Sequence, residues 1–487
     1  MIRIGPKASL LAVTCPIALM AASPAAADTL REALAQAYES NPQLEAARAQ
    51  QRATDESVVI QRAGALPSAD VSGTYTEFVK QSSTSFTSPE RSVAANLNLG
   101  APIYSGGSVR NGILAAENRI EAGRADLRGT ESTLFSQVVA AYMDVIRGEA
   151  IVGLSQNNVQ VLSVNLEATS DRFEIGDLTR TDVAQSASRL ALARSDLQTA
   201  EANLAIAREN YIALVGDAPD ALEPPPPLPG LPASVEVAED SALENNPDLI
   251  AARERAEASG YDIRVAGAGR LPRLEAFASS GYQNFLGTLG SIPGTAAASQ
   301  VSTSAQAGLR LSVPLFQGGR VAAQQRQAQQ QSLALLEQAI GTERNVLAQV
   351  RGAWASWRAA NAIIASTQSA VDAAELSLEG VRAENSIGNR QILDVLNAEQ
   401  ELLAARVQLV TARRNEYVAG FTLLAAMGRA EARDLGLDAQ GVLYDPIENY
   451  DRVRNIIWDW QRDPDPMAEG TRTVDIPAQD GEISTAP

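Results

Sequence analysis

The chain contains itself twice, and that constrains its fold more than any total. Residues 97–216 lie on residues 309–428 without a gap. Gly129-Thr130-Glu131 falls on Gly341-Thr342-Glu343, Gly176 on Gly388, Asp182-Val183 on Asp394-Val395, and Gly216 on Gly428. Upstream, NPQLEAAR at 41–48 matches NPDLIAAR at 246–253, and Leu66-Pro67 matches Leu271-Pro272. Each half is therefore one structural unit, repeated in tandem. The halves run over 28–222 and 234–433. EPPPPLPGLPA, residues 223–233, joins them and reads as an extended polyproline spacer.

Each half holds two kinds of segment. The first is long and free of proline, 103–218 and 315–445 in the full sequence. Val183, Leu190, Leu197, Leu204 and Tyr211 recur every seven residues, as do Leu396, Leu403, Val410, Tyr417 and Leu424. That spacing predicts coiled-coil seams, with helices reaching to 216 and 428. Gly176 and Gly388 interrupt the runs and mark helical hairpin tips, where glycine tolerates left-handed backbone. The helix before each tip would be about 100 Å long at about 1.5 Å per residue.

The second kind alternates. In 301–314, Val301, Thr303, Ala305, Ala307, Leu309 and Leu311 interleave with Ser302, Ser304, Gln306, Gly308 and Arg310. In 92–102, Val93, Ala95, Leu97 and Leu99 interleave with Ala94, Asn96 and Asn98. A period of two predicts strands with one mildly apolar and one polar face. Segments 67–80 and 272–285 are their expected hairpin partners. This pattern fits a surface hairpin of a soluble sheet and a lipid-facing hairpin equally well; a length of about ten residues suits a tilted span. Four strands do not close a barrel, for which about eight are needed. An open edge in lipid leaves backbone groups unpaired. If the strands span a membrane, several chains must share one barrel.

Composition removes most chemistry. There is no histidine and one cysteine, and the net charge is −18. Without histidine there is no His-based triad and no ordinary catalytic zinc site. The charge opposes phosphate-mediated nucleic-acid binding. No metal and no cofactor is expected. Residues 1–27, with Arg3, Lys7, an apolar run through Cys15 and AAA at 25–27, read as a secretory signal peptide. The chain is thus expected to be exported, with no disulfide to hold it.

The phrase APIYSGGS at 101–108 recurs as VPLFQGGR at 313–320. Together with the export signal, LREALAQAYESNPQLEAAR near the start and the IG…DV hairpin, it resembles the TolC-like outer membrane factors. The likeness covers about residues 28–430. It implies a mainly α fold: a duplicated repeat whose coiled-coil hairpins form a periplasmic tunnel, with four strands per chain in a shared twelve-stranded trimeric barrel. It implies a passive duct without enzymatic activity, located in the outer membrane with most of the chain in the periplasm. It also implies a homotrimer in outer-membrane lipid, docked to a periplasmic adaptor and an inner-membrane ABC or proton-driven transporter. The route would be type I protein secretion, or alternatively drug and small-molecule efflux.

The repeated phrase would then mark where strand becomes helix. Pro102 and Pro314 would end the strands, Tyr104 and Phe316 would sit at the membrane interface, and Gly106-Gly107 and Gly318-Gly319 would turn the chain. The resemblance places a carboxylate ring at Asp394 of the tunnel mouth. Asn397 stands where the family has a second acid, and Asn385 where it can have tyrosine. Arg390 and Asp182 fall on a linking pair. The residues themselves leave a plainer role open: Thr179-Arg-Thr-Asp182 also reads as a capping box. Trp354 and Trp357 share a helical face and read as wall packing. The extension 434–487 ends in a polar tail, expected to be disordered after about 460.

Overall fold

The computed structural model describes residues 29–80, 89–290, 294, 296, 298–439 and 443–483. The signal-peptide expectation lies outside them.

Each half opens with a short helix pair. Helix α1 is Leu30–Ser40 and α2 is Pro42–Ala63; their counterparts are α5, Val235–Asn245, and α6, Pro247–Gly267. The repeated Asn-Pro explains the break between them. Asn41 ends α1 and caps α2, accepting from Gln43 N–H, while Pro42 takes the first helical position, where no N–H is needed. The Asn41 amide then donates to the carbonyl of Leu214 at 2.8 Å, and Asn246 repeats this on Ala426 at 3.0 Å. The motif therefore pins the entry of each half to the end of its own long hairpin.

Four strands follow the short pairs: β1 Ser68–Glu77 and β2 Arg91–Tyr104, then β3 Arg273–Asn284 and β4 Val301–Ser312. They form one antiparallel sheet in the order β1-β2-β3-β4. The register puts Val71, Leu97, Ser280 and Ala305 in one row, and Ala69, Leu99, Ala278 and Ala307 in the next. The opposite face carries Asp70, Asn98, Ser279 and Gln306. On it the Asn98 amide donates to Asp70 at 2.9 Å, and Arg310 pairs with Glu275 at 3.7 Å. The alternation expected for single strands thus holds in register across the sheet. β1 and β4 are edges with no partner strand among the described residues. Loop residues 81–88 fall outside the description.

The long helices are α3 Ser108–Glu174 and α7 Arg320–Ser386, each 67 residues, and the return helices are α4 Arg180–Val215 and α8 Ile392–Ala426. At about 1.5 Å per residue α3 and α7 reach about 100 Å. The heptad residues Leu190, Leu204, Tyr211, Leu396, Tyr417 and Leu424 are buried. The main core gathers Leu34, Phe135, Val138, Tyr142, Leu204, Tyr211 and Phe421 from both halves. The proline-rich join lies across it: the Tyr142 hydroxyl donates to Glu223 O at 2.6 Å and Tyr417 to Pro226 O at 3.2 Å. Among the described residues no helix is long and apolar enough to cross a membrane.

The end of the second repeat and the extension after it return to the first repeat. Arg128 pairs with Glu431 at 2.6 Å, Ala432 N–H donates to Glu131, and Tyr444 N–H donates to the Tyr38 hydroxyl at 3.0 Å. A last helix, α9 Pro446–Val453, packs on α2. The tail differs from the expectation of disorder. It has no helix or strand, yet Thr471 N–H donates to Ser40 O at 3.2 Å, Gln479 N–H to Glu209 at 2.8 Å, and Arg208 to the carbonyls of Asp480 and Glu482 at 3.0 Å. Ile483 reaches the main core. A low-hydropathy strap is held here by hydrogen bonds to a preformed surface, which composition does not reveal.

Candidate functional site

Where sheet meets helix, the glycines do what their chemistry allows. Gly106 and Gly107 sit at φ 66° and 79°, and Gly318 and Gly319 at 60° and 80°. That left-handed backbone strains any residue with a Cβ. At Gly106 a Cβ would also meet Leu271 at 2.9 Å. Gly107 and Gly319 cap α3 and α7. Tyr104 is half exposed, while Leu315 and Phe316 are almost bare at 93% and 90%. Of the two prolines, Pro102 does not end its strand as expected. Pro102 lies within β2 at a register shift against β3, beyond Gly100, where the β1 ladder stops. An absent N–H costs little there, on a strand with one partner. β4 ends at Ser312, two residues before Pro314. Trp354 and Trp357 pack against each other at 5.4 Å beside Val346, Val350 and Leu423, within the wall.

The other end of each hairpin is a tight tip. Gly176 and Gly388 adopt φ 87° and 81°. At the first tip Arg172 Nε donates to Asp177 at 2.8 Å; at the second, Arg390 Nε donates to Glu384 at 2.7 Å. Asp182 closes a capping box, accepting from Thr179 N–H at 2.9 Å and the Thr179 hydroxyl at 2.7 Å. The Thr179 hydroxyl, with that backbone N–H, holds the Asp182 carboxyl below the ordinary range. Asp394 repeats the role through Gln391 N–H at 3.3 Å and lies 3.9 Å from Arg390. The Asn385 amide donates to the carbonyl of Arg390 at 2.8 Å.

The structure therefore does not join Asp182 to Arg390 within the chain. The first carboxylate is taken by its helix cap and the guanidinium by Glu384 of its own tip, both nearer in sequence. Asn397 is engaged instead by Arg189 of α4, at 2.9 Å, and the same guanidinium reaches Gln400. This link between the two hairpins was not anticipated.

Nor was Glu399, which is buried and accepts from Asn165 of α3 at 3.1 Å and Arg382 of α7 at 2.9 Å. A buried carboxylate is tolerated only with such partners. Its one sequence signal is an acid inside the apolar VLNAEQELL stretch. Asp144 and Arg414, at 2.9 Å, make a further α3–α8 tie. These groups set charge and fix helix positions. Among the described residues no cluster of His, Cys, Asp and Glu could hold a metal.

Comparison with known proteins agrees with this architecture. The model of the family described as outer membrane efflux protein matches residues 33–217 and 239–429, one match per repeat. The outer membrane efflux protein BepC of Brucella suis is 33% identical over 91% of this chain and 93% of its own length. The outer membrane protein TolC of Escherichia coli is 28% identical, covering 84% of each. The alkaline protease secretion protein AprF of Pseudomonas aeruginosa is 28% identical over 64% of this chain and 65% of its own. Among solved structures, the outer membrane protein VceC of Vibrio cholerae superposes with a TM-score of 0.69 at 25% identity, covering 82% of this chain and 96% of VceC. With both repeats matched and a relative aligned over nearly its whole length, this chain belongs to the outer membrane efflux protein family of outer-membrane channels.

Proposed function

We propose that three copies of the chain assemble into a passive exit duct, fed by an inner-membrane transporter through a periplasmic adaptor. One observation carries this reading: a four-stranded sheet with an apolar face and two open edges stands on hairpins about 100 Å long. Open edges are not tolerated in lipid, and three sheets of four strands close them. The family supports the channel role.

The cargo we favour is small toxic compounds, because BepC, a relative aligned over 91% of this chain and 93% of its own length, is an efflux protein. Type I protein secretion, the route suggested by the sequence, is the second reading, favoured by the protease-secretion relative. A strain lacking the chain separates them. Retention of dyes and drugs with an unchanged culture medium supports efflux. Loss of an abundant protein from the medium, with its accumulation inside, replaces that reading with secretion.

At the tunnel mouth, Asp394 supplies one carboxylate per protomer, while Asn397 is neutral and held by Arg189. A ring of acids in a narrow neck attracts cations. Asp394→Asn should lower cation selectivity in a planar bilayer; unchanged selectivity rejects the ring. Arg390 and Asp182 are proposed to join across protomers, since neither reaches the other within one. Arg390→Ala should then raise conductance, and an unaltered conductance counts against the link.

A further inference from the structure

Helix α9 climbs along the last turns of α2. The Asn449 amide donates to Asp55 at 2.7 Å, and further along Arg62 donates to the carbonyl of Arg454 at 2.6 Å and to Asn455 at 3.2 Å. Arg62 is close to the end of α2, and β1 begins at Ser68. Gly64 lies against Val109 of the first turn of α3, so this level is the strand-to-helix junction. The chain then turns twice, through Ile456 N–H to Val453 O and Gln461 N–H to Trp458 O. Both Nη atoms of Arg452 grip Asp463 at 2.9 Å and close the base of the loop. Beyond it the strap heads away from the sheet, with Gly470 against Pro42 at the start of α2.

The result is a pinned spur at the sheet end of the helical body. Its tip carries Ile457, Trp458 and Trp460 at 69%, 67% and 84% exposure. Three large apolar side chains on one closed loop are an unusual expense in water. Tryptophan with one apolar body and one N–H donor favours the membrane–water interface. The spur leaves the body beside Arg62, at the end of α2 from which the chain enters the sheet, and the exposed Tyr104 lies at the sheet's own exit into α3.

We propose that Ile457, Trp458 and Trp460 form an interfacial anchor seated in the phospholipid of the periplasmic leaflet. This rests on the reading that the sheet spans the membrane. The anchor would extend each protomer's lipid contact outside the barrel and hold the second repeat's C-terminal extension at the membrane.

The test uses the full chain in phosphatidylethanolamine–phosphatidylglycerol vesicles, with phospholipid brominated on acyl carbons near the headgroup as the quencher. The other two tryptophans do not interfere: Trp354 lies 34 residues into α7, about 50 Å from the junction. The anchor predicts that bromolipid quenches a distinct part of the emission and that Trp458→Phe with Trp460→Phe abolishes that part. Chains that float with the vesicles but show no such difference overturn the anchor alone. If acrylamide also fails to reach the two indoles, a neighbouring protomer covers them instead. Chains that do not float overturn the membrane reading itself.

Discussion

Helices α3 and α7 have the same length and the same place in their repeats, yet they live in different surroundings. α3 buries Phe135, Val139, Tyr142 and Met143 in the main core. The equivalent residues of α7 are Leu347, Arg351, Trp354 and Ala355, half-buried or exposed, and Arg351 pairs with Glu239 in solvent at 2.8 Å. The contrast extends one step towards the sheet. Glu121, Arg124 and Arg128 of α3 correspond to Leu333, Leu336 and Ile340 of α7. In α3 that region meets the end of the second repeat and the C-terminal extension, with Arg128 on Glu431 and Arg124 over the Tyr450 ring. In α7 it is apolar and bare, at 50%, 50% and 46% exposure. A duplicated helix has thus diverged by what covers it: one face is covered by polar contacts within the chain, while the other is left apolar and exposed, the face that the proposed trimer would turn to a neighbouring protomer.

The largest test breaks that assignment. Leu336→Glu combined with Ile340→Glu should leave monomers in detergent by light scattering, whereas Arg124→Leu with Arg128→Leu should leave the trimer intact. Trimers in the first variant would remove α7 as the interface. Next, Phe135→Ala should cost roughly 3 to 5 kcal/mol in an unfolding titration, and Leu347→Ala about half as much, because only the first leaves a fully enclosed cavity. Equal costs would show that the two helices are equally enclosed.

Glu131 and Glu343 sharpen the same contrast by pH. Glu343 is exposed and pairs with Arg253 at 3.2 Å. Burial pushes the Glu131 carboxyl up to about 7, reinforced by Glu431 and opposed by the Ala432 N–H, Arg48 and Arg128. The fold therefore prefers Glu131 protonated. Its contribution to stability is complete below about pH 4.5, the ordinary carboxylate value, and is lost as pH rises through about 7. Glu131→Gln should flatten the melting temperature across that window, and Glu343→Gln should not; identical profiles would sink the assignment. The smallest effect is expected at the tips, where the halves agree. Gly176→Val and Gly388→Val should each cost roughly 1 to 2 kcal/mol, through a left-handed backbone that valine resists. Unequal costs would mean that one tip relaxes its turn.

Much of this was legible along the chain. The offset between repeats placed α3 against α7, the heptads placed the seams, and Gly176, Gly388 and the two Gly-Gly pairs marked turns with positive φ. The alternation in 301–314 gave the faces of β4. What escaped were partners chosen across distance: Glu399 with Asn165 and Arg382, Arg189 with Asn397, and the strap on α4. Pro102 was misplaced as a strand end because proline's cost depends on whether a neighbouring strand is present.

Period, repeat and turn residues act over a few positions, so the sequence by itself determined the elements, their order, the two faces of the sheet and the duplication. Only the tertiary structure decided that Glu399 is buried with Asn165 and Arg382 as its partners. It alone decided that α3 is enclosed while α7 is left open, and that the strap up to Ile483 lies on the helical body. Those outcomes depend on which surfaces meet, and a carboxylate or an apolar stripe carries no local mark of its partner.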